Sequence, residues 1–119
     1  GDATDFGDLT IATVQYTGAG MYSATRGVHA GAYPGQNTIQ YITIATTGNA
    51  IDFGDLTESK EMTNMTANTT RAVRGGGQNP VTNVLDYATI DTTGNFTDFG
   101  DLNTTGNSKA GCSNGHGGL

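Results

Sequence analysis

A five-residue motif, Asp-Phe-Gly-Asp-Leu (DFGDL), occurs three times in this chain, at 5–9, 52–56 and 98–102. The copies begin 47 and 46 residues apart, and a second motif, Thr-Thr-Gly-Asn (TTGN), precedes two of them at 46–49 and 92–95. Self-similarity at a fixed period is typical of repeat proteins, in which copies of one supersecondary unit pack against each other. The sequence therefore predicts repeat units of 46 or 47 residues.

The repeat divides the 119 residues into four segments. Residues 1–9 end a preceding unit, 10–56 form repeat 1, 57–102 form repeat 2, and 103–119 begin a third. The chain thus opens in the middle of a unit, and its ends lack the atypical capping sequences that repeat arrays normally carry. We expect either an excerpt of a longer protein or a chain that is completed by other copies of itself.

The composition of the units favours strands over helices. Charged residues make up only 13% of the chain, while Gly, Thr and Asn are abundant. The longest runs alternate β-branched or aromatic residues with polar ones, which is typical of strands. We predict an all-β fold with about four strands per unit, and a tight turn at the Gly-Asn of each TTGN motif. Besides the DFGDL motifs, the predicted strands are 11–22, 25–31, 37–45, 58–67, 70–76 and 83–91.

At these positions the sequence resembles the kelch-type β-propeller repeat. Glycines at 75–77 and at Gly31 stand where kelch repeats carry a double glycine, and Tyr41 and Tyr87 stand where they carry an aromatic residue. The chain departs from the kelch pattern because it has no Trp, a role that the Phe of each DFGDL motif would have to fill. The resemblance implies about two and a half four-stranded propeller blades, which belong to a larger propeller or are completed by other copies.

The repeat also resembles those of phage tail-fibre or virion-associated proteins. This resemblance implies a non-enzymatic structural and recognition module on the virion surface or outside the cell, contacting host-surface glycans. The alternatives are a self-assembling extracellular fibre subunit and a fragment of a glycan-degrading propeller enzyme. The expected partners are other repeats or copies of the chain. The net charge of −6 argues against nucleic-acid binding, and no apolar run approaches the ~20 residues of a membrane span.

Three residues are candidates for ligand binding. Tyr33 lies in a segment, 33–36, where the units differ, and its ring can stack on a sugar. Arg26 and Arg71 stand at matching positions of the two units and can bind a sugar or a carboxylate. The simpler interpretation is that the two arginines pair with the DFGDL aspartates or stack between units.

The two aspartates of each DFGDL motif are a second candidate site. Acids three residues apart can bind Ca²⁺ together with backbone carbonyls, or they can cap turns through side-chain hydrogen bonds. Because the pair recurs in every unit, turn capping is the simpler interpretation, and no unit contains a unique acid–base pair for catalysis. The Ca²⁺ candidates are Asp52, Asp55, Asp98 and Asp101, and no other cofactor is expected.

The remaining candidates are isolated residues. His29 and His116 have no second ligand at metal-binding spacing, so neither is expected to bind a metal. Cys112 is the single cysteine and is expected to be an inert small residue. Four asparagines begin N-x-S/T sequons, which accept glycans in secreted eukaryotic proteins: Asn64, Asn68, Asn95 and Asn103.

Overall fold

The fold consists of two four-stranded antiparallel sheets, as seen in a computed structural model that describes residues 1–11 and 20–112. In each sheet every strand pairs with the next strand along the chain, so the connections are hairpins. The prediction of an all-β chain is confirmed, with four strands in each sheet. The predicted strand at 58–67 is wrong, because residues 58–60 end a strand of the first sheet and 64–67 begin the second sheet. The first sheet contains β1 (Gly20–Tyr22), β2 (Arg26–Ala30), β3 (Gln36–Thr43) and β4 (Ile51–Lys60), and the second contains β5 (Asn64–Ala67), β6 (Arg71–Gly75), β7 (Val84–Thr89) and β8 (Thr97–Asp101).

The DFGDL motifs do not all form strands. The copy at 52–56 lies inside β4, which continues to Lys60, and the copy at 98–102 supplies most of β8. The copy at 5–9 is not in a strand. In β4 and β8 the motif pairs with the strand before it, β3 or β7.

The prediction of a tight turn at Gly-Asn is wrong for both TTGN motifs, since the turns lie upstream and residues 47–50 and 93–96 are irregular. The turn after β3 closes upstream, where the Thr46 N–H donates to the Thr43 carbonyl at 3.3 Å. Residues 47–50 follow as an irregular segment rather than as a turn. The backbone φ is positive at Gly48 (+156°) but not at Asn49.

The core draws on both sheets. Alternate residues of the strands are buried, as expected when one face of a sheet is covered. Phe53 of β4 meets the ring of Phe96 edge-on at 6.4 Å between centroids, and Tyr41 of β3 meets Phe53 at 5.9 Å. Burying a Phe side chain contributes about 1.5–3 kcal/mol. The other members of this core are Met21, Val28, Ala30, Ile39, Leu56, Met65, Ala67, Ala72, Ala88 and Ile90.

The two sheets also meet at their first strands, since β1 and β5 lie against each other. Their last strands, β4 and β8, approach each other as well. Nowhere in residues 1–11 and 20–112 is there a helix with the length and apolar character needed to cross a membrane.

Candidate functional site at the junctions between repeat units

The first aspartate of every DFGDL motif forms the same local turn. Its Oδ1 accepts a hydrogen bond from the N–H of the glycine two residues later, at 3.1 Å for Asp5 and 3.0 Å for Asp52 and Asp98. This geometry agrees with the turn-capping interpretation. Within the described parts of the chain, no group of three or more His, Cys, Asp or Glu residues is placed to hold a metal ion. The Ca²⁺ interpretation of these aspartates stays a prediction.

The DFGDL motif of repeat 1 binds the TTGN motif of repeat 2. The Gly94 N–H donates to the Phe53 carbonyl at 2.7 Å, and the Phe96 N–H donates to the Asp55 carbonyl at 2.8 Å. In return, the Asp55 N–H donates to Oδ1 of Asn95 at 3.0 Å. Three hydrogen bonds therefore join residues about 40 positions apart in the sequence.

The same three bonds form at the preceding junction. The Gly48 N–H donates to the Phe6 carbonyl and the Ala50 N–H to the Asp8 carbonyl, both at 2.8 Å. The Asp8 N–H donates to Oδ1 of Asn49 at 3.0 Å. We call this set of three bonds the junction clamp. The two junctions, which have similar sequences, thus have the same contact geometry.

Close backbone approach explains the glycine of the DFGDL motif. A Cβ on Gly54, where φ is +142°, would lie 2.5 Å from the carbonyl carbon and oxygen of Gly94. A Cβ on Gly7 would lie 2.3 Å from the Gly48 carbonyl oxygen. Only glycine fits such an approach at positive φ. Gly100, the third copy, has a φ of +134°, and in the described part of the chain a Cβ there would meet nothing within 4 Å.

Another TTGN motif, at 104–107, was missed in the sequence analysis and makes different contacts. The Gly106 N–H donates to the Thr82 carbonyl at 3.2 Å, and the Gly106 carbonyl accepts from the Gly77 N–H at 3.0 Å. This copy therefore packs against the β6–β7 connection of repeat 2, the unit before its own. A match to the motif does not by itself identify a junction.

A buried ion pair lies next to the clamp between repeats 1 and 2. Arg74 of β6 and Asp86 of β7 face each other in register, their side chains are 0% exposed, and Arg74 Nη2 lies 2.5 Å from Asp86 Oδ2. Thr57, which follows the DFGDL motif of repeat 1, donates to the same oxygen through its N–H (3.1 Å) and its Oγ1 (2.6 Å). Arg74 Nη1 also donates to the Gly76 carbonyl at 2.9 Å.

A neutral version of this cluster lies at the first junction. Thr10 donates to Oε1 of Gln40 through its N–H and its Oγ1, both at 2.8 Å. Gln40 of β3 faces His29 of β2 in register, and its Nε2 lies 3.5 Å from the ring Nδ1 of His29. Partial burial lowers the pKa of His29 below its usual value of 6.5. After the third DFGDL motif the chain has Asn103 in place of Thr.

The two candidate arginines occupy equivalent positions on aromatic rings. Arg26 lies 4.4 Å above the ring of Tyr41, and its Nη1 donates at 2.7 Å to the carbonyl of Ile90, in the turn after β7. Arg71 lies 4.8 Å above the ring of Tyr87. In the described part of the chain neither arginine forms an ion pair with an acid. Arg26 thus stacks on a ring of its own unit and contacts repeat 2 through its hydrogen bond to the Ile90 carbonyl.

Tyr33 lies apart from these arginines. It is 43% exposed in the connection between β2 and β3, next to a cis bond to Pro34. Because Arg26 begins β2 and Tyr33 follows its end, the two residues lie at opposite ends of that strand. The predicted binding residues therefore do not form one site.

The other predicted positions are dispersed. Cys112 is exposed with a free thiol, and His116 lies outside the described residues. Asn68 caps the β5–β6 hairpin, since its Oδ1 accepts from the N–H groups of Thr70 and Arg71. Asn64 is half-buried in β5, while Asn95 and Asn103 are exposed.

Comparison with known proteins does not assign a family. No protein-family model matches this chain, and no curated protein matches it in sequence. Function therefore has to be inferred from the junctions themselves. Their backbone bonds, buried polar cluster and stacked arginine can hold successive sheets together face to face.

Proposed function

We propose that this chain is a non-enzymatic structural module of an extracellular or virion-surface appendage, in which repeat units stack face to face. The observation that carries the proposal is the junction clamp, which occurs with the same three bonds at two successive junctions. A contact that repeats with the sequence period serves a scaffold rather than a single asymmetric reaction centre. The resemblance to tail-fibre repeats supports the location.

Kelch-like propeller blades are the proposed form of the units. Each sheet has four strands in chain order, which is the composition of a propeller blade. The first strands, β1 and β5, lie against each other, as the inner strands of neighbouring blades would. The stacked arginine of repeat 1 reaches across to the second sheet, as expected of residues between blades.

Replacing Asn95 by alanine is expected to weaken the link between the sheets by about 0.5–1.5 kcal/mol, the usual net value of one hydrogen bond. The substitution removes the acceptor of the Asp55 N–H and leaves the fold of each sheet intact. Hydrogen exchange should then show faster exchange at Asp55 and Phe96, measured together with the free energy of unfolding in urea.

Asn49→Ala is the matched control, because it removes the same bond at the first junction, to the Asp8 N–H. It should speed exchange at Asp8 and Ala50 while leaving Asp55 and Phe96 protected. Unchanged protection at both junctions in the two variants would show that the clamp does not join the units, and the structural proposal would fail.

Glycan recognition is a second candidate function, favoured by the exposed ring of Tyr33 at the β2–β3 connection. An exposed aromatic ring can stack on a sugar face. If this chain binds a host-surface glycan, Tyr33→Ala is expected to lower its affinity at least about tenfold, since losing about 1.4 kcal/mol has that effect. Glycan arrays followed by titration calorimetry check this. Equal binding by the wild type and the variant would exclude Tyr33 as a glycan contact. A complete lack of glycan binding would exclude glycan recognition by this chain.

A further inference from the structure

The last sheet ends in an uncovered aromatic face. Phe99, in the third DFGDL motif, is 53% exposed, whereas its counterpart Phe53 in the second motif is 3% exposed. The Phe99 ring meets Tyr87 edge-on at 5.5 Å, and Arg71 lies above the Tyr87 ring. This arrangement is the same as that of Arg26, Tyr41 and Phe53 at the junction between the two repeats. The last sheet therefore carries one complete half of a junction.

The first sheet carries the opposite half. A cavity of about 300 Å³ opens on it, with Leu9, Ile42 and Ala50 among its lining residues. Ile44, two residues after Ile42, is 47% exposed, whereas the corresponding residue of repeat 2, Ile90, is fully buried. Within residues 1–11 and 20–112 this apolar face is open at the cavity, whereas its counterpart in repeat 2 is covered by the first sheet.

The cavity is open space, whereas the corresponding place in repeat 2 is filled by core side chains. Ala50 and Ile42 stand 46 residues before Phe96 and Ala88, which lie in the core with Phe53. Because Ala50 is much smaller than Phe96, a bulky ring from outside can enter. Phe99 is such a ring, and it is 53% exposed on the last sheet.

We propose that a second copy of this chain docks head to tail, so that the last sheet of one copy covers the apolar face beside Ala50 of the next. Residues 98–102 of the first copy then take the place that 5–9 hold against 48–50 of the second. The proposal rests on the stacking function above, since it reuses the junction clamp.

Replacing 5–9 of one copy by 98–102 of another costs little free energy, because both segments have the sequence DFGDL. Residues 98–102 can make the clamp bonds that 5–9 give up, and Gly100 has the positive φ and the open space that the close approach requires. The gain is the burial of exposed apolar side chains at both ends. The two surfaces in contact differ, so the association is heterologous and generates rings or filaments rather than a closed dimer.

Sedimentation of the 119-residue chain over a range of concentrations tests the docking. We expect the wild type to show masses that are multiples of 12.2 kDa and increase with concentration. Phe99→Asp should remain at 12.2 kDa throughout. Tyr33→Asp, at an exposed position in the β2–β3 connection, is the matched control and should associate like the wild type. A wild type that stays monomeric, or a Phe99→Asp variant that associates equally well, would overturn the proposal.

Gly7→Val tests the exchange of segments in the full chain. A valine side chain at Gly7 would collide with the Gly48 carbonyl, so it should dislodge 5–9 and leave the site at 48–50 open. The association midpoint should then fall about tenfold or more, because a larger fraction of molecules is competent to bind. An unchanged or higher midpoint would contradict the exchange.

The two proposals fail in different ways. If Asn95→Ala leaves hydrogen exchange unchanged, the stacking function fails, whatever mass the chain has in solution. If Asn95→Ala acts as expected while the wild type sediments at 12.2 kDa at every concentration, only the docking of a second copy is wrong.

Discussion

Replacing Arg74 by alanine is expected to lower the free energy of unfolding by about 3–5 kcal/mol, the usual result of breaking a buried ion pair by removing one partner. Asp86 would be left as a fully buried carboxylate whose remaining side-chain partner is the Thr57 hydroxyl. Because small proteins are stable by only about 5–15 kcal/mol, the loss is a large part of the total. Urea denaturation followed by circular dichroism measures it.

Arg71→Ala is the matched control, since Arg71 lies on the same strand but is exposed and stacked on Tyr87. Losing an exposed cation–π contact costs about 0.5–1 kcal/mol. The double variant Arg74→Met with Asp86→Leu should recover most of the stability, because neither charge is then buried without its partner. If both arginine variants lowered the free energy of unfolding equally, the buried ion pair would contribute no more to stability than the exposed cation–π contact.

The strands could be predicted from the sequence because the period-2 pattern records which side chains are covered. The predictions of 37–45 and 83–91 agree with β3 and β7 to within two residues at each end. The length of β4 could not be predicted in this way. Its extension to Lys60 depends on pairing with Gln36 at the start of β3, a contact that local composition does not specify.

The candidate site could be predicted only in its local part. The turn at Asp52 involves residues two apart, so the motif itself predicts it. The bond from Asp55 to Asn95 spans 40 residues, and the repeat shows that two motifs recur without showing which copy contacts which. Thr57 and Asp86 were missed for the same reason. They could have been found from the repeat, because Thr10 stands 47 residues before Thr57 and Gln40 stands 46 residues before Asp86. The earlier pair can form the same kind of hydrogen bonds.

Replacing Gly54 by alanine is expected to destabilise the chain by about 2–6 kcal/mol. A side chain at its φ of +142° costs about 1–3 kcal/mol in backbone strain. The added Cβ would also lie 2.5 Å from the backbone of Gly94, and such overpacking costs about 1–3 kcal/mol more. The neighbour is backbone held by the clamp, so it cannot rotate away as a side chain would. Urea denaturation and exchange at Phe96 measure the loss.

Gly100→Ala separates the two contributions, because Gly100 stands in the same motif with a φ of +134° and nothing within 4 Å. It should lose only the strain component, about 1–3 kcal/mol. Both variants are best compared in the Phe99→Asp background, where association of copies does not add to the stability of either. The difference between them then measures the contact between repeat units. Equal losses would mean that backbone conformation alone explains the glycine, and that the junction can open to admit a side chain at no cost.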